Sequence, residues 1–146
     1  KNNYSLIILG EGEDKNIIEK KIIEKKLTNK IFLCGYVKNP YPYMKKASAL
    51  VLSSLWEEVG FVLVESALSN LLLISSNCKN GPKEFLSQGK AGYLFNSKVK
   101  NQLKDSINFI HSDNYKKKVL AKKNSLQYTD FRHSLIFNKI IKILND

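Results

Sequence analysis

The chain has 146 residues, a length that suits one domain with a sizeable core. Its two cysteines, Cys34 and Cys78, exclude a disulfide-stapled scaffold and fit a reducing cytosol; no apolar run reaches the length of a membrane span and no signal peptide is visible. The net charge of +11, nearly all from lysine, suggests an anionic partner: a nucleotide, a phospholipid surface or a nucleic acid.

Strand and helix patterns alternate along the first two thirds of the sequence. Short apolar runs bounded by glycine or polar residues predict strands over 4–9, 31–34, 49–52, 71–75 and 91–95, the first of them buried. Helical spacing predicts helices over 15–27, just before 48, from 61 to about 70, and from 82. This alternation is typical of βαβ units with right-handed crossovers. The sequence therefore predicts a Rossmann-like parallel α/β sheet with strand order 3-2-1-4-5 and helices on both faces.

The remaining residues are predicted to be helical, so we expect one domain over 1–146, with the sheet and crossover helices in 1–97 and carboxy-terminal helices in 98–146. The apolar stripes of these helices are Leu103, Ile107 and Ile110; then Tyr115, Val119 and Leu126; then Phe131, Leu135, Ile136, Ile140, Ile143 and Leu144. The second helix is also rich in lysine, which forms either a solvated face or a surface attracted to an anionic membrane. Its lysines are Lys116, Lys117, Lys118, Lys122 and Lys123.

Two carboxylates, Glu57 and Glu65, stand eight positions apart around Gly60. Glu57 follows the third predicted strand, and Glu65 falls about one turn into the next helix. Open α/β sheets bind ligands at the carboxyl ends of their strands, and a glycine there lets the backbone approach a ligand closely. Two carboxylates facing one crevice would accept hydrogen bonds from sugar hydroxyls. The alternative is that both glutamates are solvated surface residues.

Two other glycine-containing segments are candidate binding loops. Pro82 at the first helical position, with Glu84 two residues later, predicts a helix start whose exposed amides favour an anion or a sugar hydroxyl. Glu84 is then either a capping carboxylate or a ligand contact. Gly10 and Gly12 form a G-x-G, but no third glycine follows at the dinucleotide spacing, so a nicotinamide-cofactor site is poorly supported.

Five segments in order resemble the motifs of the GT4 family of retaining glycosyltransferases, which have the GT-B fold. The segment from Glu57 to Glu65 resembles the E-x7-E element of that family. The other four are LGEGE at 9–13, FLCGYV at 32–37, NPYPYM followed by AS at 39–48, and NGPKEFL at 80–86 with Gly89 and Gly92. Together the five segments cover roughly residues 4–95, as the donor-binding, carboxy-terminal domain of such an enzyme would.

The resemblance implies a role for each matched residue. In the family the first glutamate contacts hydroxyls of the donor sugar and the second contacts the ribose, which implies a catalytic role for Glu57 and a donor-binding role for Glu65. Donor binding is also implied for the matched loops. These are Gly60, Phe61 and Val62 beside the motif; Gly81, Pro82, Lys83 and Glu84 towards the sugar and diphosphate; and Gly10, Gly12, Gly35, Tyr36 and Val37 on the base side.

The resemblance also implies an activity: retaining transfer of a hexose or N-acetylhexosamine from a nucleotide sugar, UDP-linked by similarity, to a bacterial surface-glycan or lipid-linked acceptor. No cofactor or metal is expected, and His111 and His133 lack metal-ligand spacing. The acceptor-binding amino-terminal domain, and an arginine and a lysine that steady the leaving phosphate in the family, are expected outside this chain. The chain alone is therefore expected to be inactive, and the enzyme to be cytoplasmic or peripheral to the inner face of the plasma membrane.

The sequence departs from the family pattern at three positions. Glu58 stands where a small residue is usual, which leaves the identity of the donor sugar nucleotide undecided. Asn70 and Leu72 stand where glycine and proline are common. Asparagine tolerates the left-handed conformation, so the helix end can survive. Two other functions stay open. A basic α/β module for nucleic acid or another anionic partner would need aromatics interleaved with the lysines, and we expect no nucleic acid. A sugar-nucleotide epimerase half would need better placed histidines.

Overall fold

The computed structural model describes residues 4–58 and 60–129, and within them five strands alternate with helices. The chain divides into two compact units, Lys1–Pro42 and Tyr43–Asp146. The one-domain organisation over 1–146 stays a prediction. The elements are β1 (Leu6–Ile8), α1 (Lys15–Glu24), β2 (Ile31–Leu33), α2 (Tyr41–Lys46), β3 (Ala49–Leu52), α3 (Phe61–Leu68), β4 (Leu72–Ser76), α4 (Pro82–Phe85), β5 (Tyr93–Phe95), α5 (Gln102–Asn108) and α6 (Tyr115–Ser125), with 3-10 turns at Phe109–His111 and Leu126–Tyr128.

The first unit is a βαβ motif. β1 and β2 pair in parallel, from Leu6 beside Ile31 to Ile8 beside Leu33, and α1 connects them. The expectation that the first strand is buried is wrong, because Leu6 and Ile7 are 45% and 48% exposed. Two strands and one crossover helix within this unit cannot cover both faces of a sheet, whereas a parallel sheet buries its strands only when both faces are covered.

The second unit contains a three-stranded parallel sheet in the order β3-β4-β5. The parallel α/β class is confirmed, but the strand order 3-2-1-4-5 is wrong. That order puts β3 beside β2 and β4 beside β1, whereas β3 pairs directly with β4, from Ala49 beside Leu72 to Leu52 beside Ser75. Since a strand has only two edges, and β3 and β5 occupy both edges of β4, no edge is left there for β1.

Helices cover both faces of the three-stranded sheet, as predicted. Alternate residues of β4 point to opposite faces, so Leu73 joins one core cluster while Leu72 and Ile74 join the other. The first cluster contains Leu63, Val64 and Ala67 of α3, Phe85 of α4 and Ala121 of α6. The second cluster includes Phe95 and is covered by Leu103, Ile107 and Ile110, which confirms the first carboxy-terminal stripe.

The second carboxy-terminal stripe, unlike the first, is exposed. Tyr115, Val119 and Leu126 are 73%, 50% and 53% exposed, whereas Ala121 and Ser125 on the opposite side of α6 are fully buried. Small residues let α6 approach its neighbours closely, and this close packing decides which side faces inward. The third stripe, from Phe131 to Leu144, lies outside the described residues. Across 4–58 and 60–129, no helix is both long enough and apolar enough to span a bilayer.

Candidate functional site

The loop from β3 to α3 turns at Gly60. Gly60 has φ +66° and ψ +60°, the left-handed conformation, and it is the residue from which α3 begins. An added Cβ would meet Leu63 and Leu52 only at ordinary contact distances of 3.4 and 3.7 Å, so the requirement for glycine comes from the backbone conformation. A non-glycine residue in that conformation costs about 1–2 kcal/mol. Gly60 therefore fixes the path by which the loop carrying Glu57 enters the helix carrying Glu65.

Two serines hold this loop against the sheet. The Ser76 hydroxyl, at the end of β4, donates to the Ser54 carbonyl at 2.5 Å, and the Ser54 hydroxyl donates to Glu57 Oε1 at 2.6 Å. Ser76 is buried, so its bond is shielded from competing water. This relay fixes the Glu57 carboxylate from the neighbouring strand. The sequence analysis did not single out either serine, although small polar residues at the carboxyl ends of adjacent strands were a usable signal.

The two glutamates of the motif are both partly buried, Glu57 in the loop and Glu65 at the start of the second turn of α3. Glu58, between them, is exposed. The helix ends at Leu68 and Asn70 has φ +63°, so asparagine does take the left-handed conformation in place of glycine, as predicted. Glu57 is therefore held in the loop by Ser54 and Glu65 is carried by α3, a placement that leaves their roles as predictions.

The residues that open α3 differ in what their side chains do. Phe61 is 63% exposed, so its ring is accessible. Val62 packs against the first core cluster, so its side chain serves packing, and any contact it makes with a ligand would come from its backbone. Leu63 donates its amide to the Gly60 carbonyl at 2.7 Å.

The loop between β4 and α4 lies at the same edge of the sheet, because β3 and β4 are parallel. The Asn77 amide donates to the Phe95 carbonyl at 2.7 Å, which fastens the start of this loop to the end of β5. Gly81 precedes α4, Pro82 is its buried first residue, and Lys83 and Glu84 are exposed in its only full turn. The predicted ligand-facing segment is thus a short, exposed turn on a buried proline.

Helix α6 holds the far end of α4 in place. Asn124 Nδ2 donates to the Phe85 carbonyl at 2.6 Å and to Ser87 Oγ at 2.9 Å. Two turns earlier, Lys117 Nζ donates to the carbonyls of Gly89 and Gly92 at 2.8 and 3.2 Å. The same ammonium lies 4.6 Å from the centre of the Tyr93 ring, a cation–π arrangement. Lys117 is therefore not part of a uniformly solvated lysine face.

The loops that follow β1 and β2, which are predicted to face the base, are brought together by the pairing of these strands. The Gly10 amide donates to the Gly35 carbonyl at 2.7 Å, and both glycines have positive φ, +124° and +66°. Tyr36 is 75% exposed and Val37 is partly buried. Gly12 has open space around it. The two turns are thus joined by a backbone hydrogen bond, with the exposed Tyr36 directly after Gly35, and their predicted contact with the base stays a prediction.

Metal binding requires clustered ligands. Among residues 4–58 and 60–129, no three His, Cys, Asp or Glu side chains lie close enough together to hold an ion. Cys34 is exposed, Cys78 is partly buried, and neither forms a disulfide. That the reaction needs no metal stays a prediction.

The fold and this edge of the sheet together define a class of protein: a parallel α/β protein with carboxylates and glycine turns at the carboxyl ends of its strands, the position at which such sheets bind ligands. The family described as "Glycosyl transferases group 1" matches residues 1–127, and the chain belongs to it. This is also the superfamily that the motif resemblance indicated.

Three comparisons describe the similarity. An "Uncharacterized glycosyltransferase" of Methanocaldococcus jannaschii is 43% identical over 84 residues, which are 58% of this chain and 21% of that protein. A poly(ribitol-phosphate) alpha-N-acetylglucosaminyltransferase of Staphylococcus aureus is 32% identical over 106 residues, 73% of this chain and 22% of that protein. The crystal structure of a mutant of S. aureus TarM in complex with fondaparinux, alpha-GlcNAc-glycerol and UDP superposes with a TM-score of 0.80 at 25% identity, over 97% of this chain and 29% of TarM. The chain thus spans a fifth to under a third of these relatives.

Proposed function

We propose that this chain is the donor-binding, carboxy-terminal domain of a GT4-type retaining glycosyltransferase with the GT-B fold. The observation that carries the proposal is the turn from β3 to α3, where Ser54 holds Glu57 and left-handed Gly60 leads into the helix that bears Glu65. Membership of the group 1 family over residues 1–127 supports it. The donor is a UDP-linked hexose or N-acetylhexosamine, which is supported by the UDP in the TarM complex and by the N-acetylglucosaminyl transfer in the name of the S. aureus relative.

In this mechanism Glu57 accepts hydrogen bonds from hydroxyls of the donor sugar. As the bond from the anomeric carbon to the diphosphate breaks, positive charge develops on the sugar, and a nearby carboxylate stabilises that charge more than it stabilises the ground state. The serine relay keeps Glu57 from reorienting during this step. Glu65 holds the ribose, the turn at 81–84 faces the sugar and diphosphate, and the loops at Gly10 and Gly35 face the base. No metal is required.

The acceptor is a surface glycan or a lipid-linked glycan, and a separate amino-terminal domain binds it. Such acceptors are assembled at the inner face of the plasma membrane, so the enzyme is cytoplasmic and peripheral to that surface. Nucleic acid is not a partner in this proposal.

Titration of the purified chain with UDP, GDP and ADP, followed by backbone amide NMR, tests the donor site. UDP should shift the amides of residues 60–62 and 81–84, and those beside Gly10 and Gly35, at lower concentration than GDP or ADP does. Glu65→Gln should weaken the UDP shifts, while Glu58→Ala serves as the matched exposed control. Shifts confined to the lysines of α6 would show that the nucleotide binds only as a polyanion, and the donor site would then be abandoned.

A further inference from the structure

The side of α6 that faces away from the sheet carries exposed apolar residues, and Leu126, the first residue of the 3-10 turn that follows the helix, continues them. Tyr115, Val119 and Leu126 are 73%, 50% and 53% exposed. At about 100° per residue, these three positions fall within about 40° of one another around the helix. They form one narrow apolar stripe, which we call the outer stripe of α6.

Lysines flank the outer stripe on both sides. Lys122 and Lys118 lie on one side of it and Lys116 and Lys123 on the other, by the same helical spacing. Lys116, Lys122 and Lys123 are exposed, Lys118 is partly exposed, and α6 contains no acidic residue. Apolar side chains between two rows of lysines can lie against a lipid surface, because the lysine stems extend so that their ammonium groups reach the headgroups.

The fifth lysine of α6 shows that the lysines are not spread evenly around the helix. Lys117 lies on the opposite side of the helix and is used internally, as a donor to the carbonyls of Gly89 and Gly92. Ala121 and Ser125, both fully buried, also face inward. The inner side of α6 is thus committed to packing, and the four remaining lysines are sorted to the edges of the outer stripe.

We propose that the outer stripe of α6 and its flanking lysines form a docking surface for an anionic lipid bilayer. Charge complementarity selects this occupant: the helix offers four lysines at the edges of the stripe against one neighbouring carboxylate, that of Asp113, which accepts from the Tyr115 amide, and the apolar stripe fits the boundary between headgroups and acyl chains. The inference is independent of the donor site, because its test reads vesicle binding and not sugar transfer. It would place the lipid bilayer against the side of the sheet that carries α3 and α6.

Co-sedimentation of the full-length protein with lipid vesicles tests the proposal. Vesicles of phosphatidylcholine with one third phosphatidylglycerol should bind the protein at 0.1 M salt, and pure phosphatidylcholine vesicles should bind it far more weakly. Each lysine near an anionic leaflet strengthens binding about fivefold. Replacing Lys116, Lys122 and Lys123 with glutamine should therefore weaken binding by up to about a hundredfold. Because salt screens exposed charges, 0.5 M salt should weaken the wild-type interaction in the same direction.

The matched control replaces Lys20, Lys21 and Lys25, which are also exposed, with glutamine, so that both variants lose the same charge. Those lysines lie on or beside α1, which contains the acidic residues Glu19 and Glu24. This control should retain most of the vesicle binding. Equal losses in the two triple variants would show only a general effect of net charge and would overturn the assignment to α6.

The apolar stripe is tested separately from its charge. Val119→Gln with Leu126→Gln leaves every lysine in place and should weaken vesicle binding by at least tenfold, and circular dichroism should report an unchanged fold because both side chains are already exposed. Unchanged binding by this double variant would overturn the docking of the stripe. If the lysine variant lost affinity for a single-stranded RNA while keeping its affinity for vesicles, the surface would be a nucleic-acid site and the proposal would be wrong.

Discussion

The two glutamates of the motif are held differently, and we expect their kinetic roles to differ in the full-length enzyme. If Glu57 stabilises charge that develops on the donor sugar, Glu57→Gln should lower kcat more than it raises KM. If Glu65 binds only the ribose, its contribution is nearly the same in the ground and transition states. Glu65→Gln should then mainly raise the donor KM, about tenfold for a loss of about 1.4 kcal/mol. Steady-state kinetics against varied nucleotide sugar measure both effects.

The control for this pair is Glu58, which is exposed between them. Because an exposed charge couples weakly to its surroundings, Glu58→Ala should change kcat and KM by less than about threefold. If Glu58→Ala were the most damaging of the three substitutions, the motif would be aligned one residue out of register and the role of Glu57 would have to be withdrawn.

Gly92 is required by packing, and its replacement gives a prediction about stability. A Cβ at this position would lie 2.6 Å from the Leu73 carbonyl and 2.9 Å from Leu86 Cδ2. Leu73 lies in the central strand, where the backbone cannot move aside. Gly92→Ala should therefore lower the free energy of unfolding by about 2–3 kcal/mol, as measured by urea denaturation.

Gly12 supplies the matched control for this prediction. An added Cβ there would meet no atom within 4 Å, and its φ is not positive. Gly12→Ala should change the free energy of unfolding by less than about 0.5 kcal/mol. Equal effects at the two positions would contradict the packing argument for Gly92.

At the scale of elements, α6 acts as a brace for the segment that follows α4. Asn124 donates to the end of α4, and Lys117 to the two glycine carbonyls that lead into β5. Tyr93, under the Lys117 ammonium, stacks on Phe109 at 4.9 Å and donates its hydroxyl to Asn114 at 3.0 Å. The brace joins helices from both faces of the sheet through one aromatic ring.

The brace gives a prediction about pH. Burial lowers the pKa of Lys117 from its ordinary value of 10.5. Between the lowered pKa and 10.5 the folded chain binds fewer protons than the unfolded chain, so the free energy of unfolding should rise as pH is raised through that range. Lys117→Met should lack this rise. Urea midpoints of both proteins, measured from pH 7 to 10, provide the comparison.

The neighbouring tyrosine contributes with the opposite sign at higher pH. Burial raises the pKa of Tyr93 from 10.0, so its effect is a loss of stability that begins only as pH passes about 10. If the urea midpoints are compared only below pH 10, the effect of Lys117 is measured without that of Tyr93. Identical pH dependence in the wild type and Lys117→Met would show that Lys117 is ionised alike in the folded and unfolded chains.

At the scale of the whole molecule, we expect the chain alone to bind nucleotide weakly and to transfer no sugar. It spans 22% of the S. aureus relative, and the resemblance places the phosphate-binding cations and the acceptor domain outside it. Each lost charge-assisted hydrogen bond removes about 1.5–3 kcal/mol, or at least tenfold in affinity. Calorimetric titration should give a millimolar Kd for UDP; a micromolar Kd for the chain alone would contradict this expectation.

Local pattern was enough to predict most of the elements. Strand and helix alternation followed from apolar spacing, and the turn at Gly60, the left-handed Asn70 and the helix start at Pro82 followed from residue types whose backbone preferences are intrinsic. The sequence alone also placed Glu57 and Glu65 on either side of that turn, since each position depends only on the neighbouring residues. Their membership of one motif led to the family that the comparison over residues 1–127 supports.

Only the tertiary structure decided the features that depend on competition between distant segments. β4 pairs with β3 on one edge and with β5 on the other, and so has no edge for β1. Which strands occupy those two edges depends on segments distant in the sequence. The side of α6 that is buried was decided by close packing, which favoured Ala121 and Ser125 over the larger apolar residues. The Ser76–Ser54–Glu57 relay needed two strands in register before its hydrogen bonds could form.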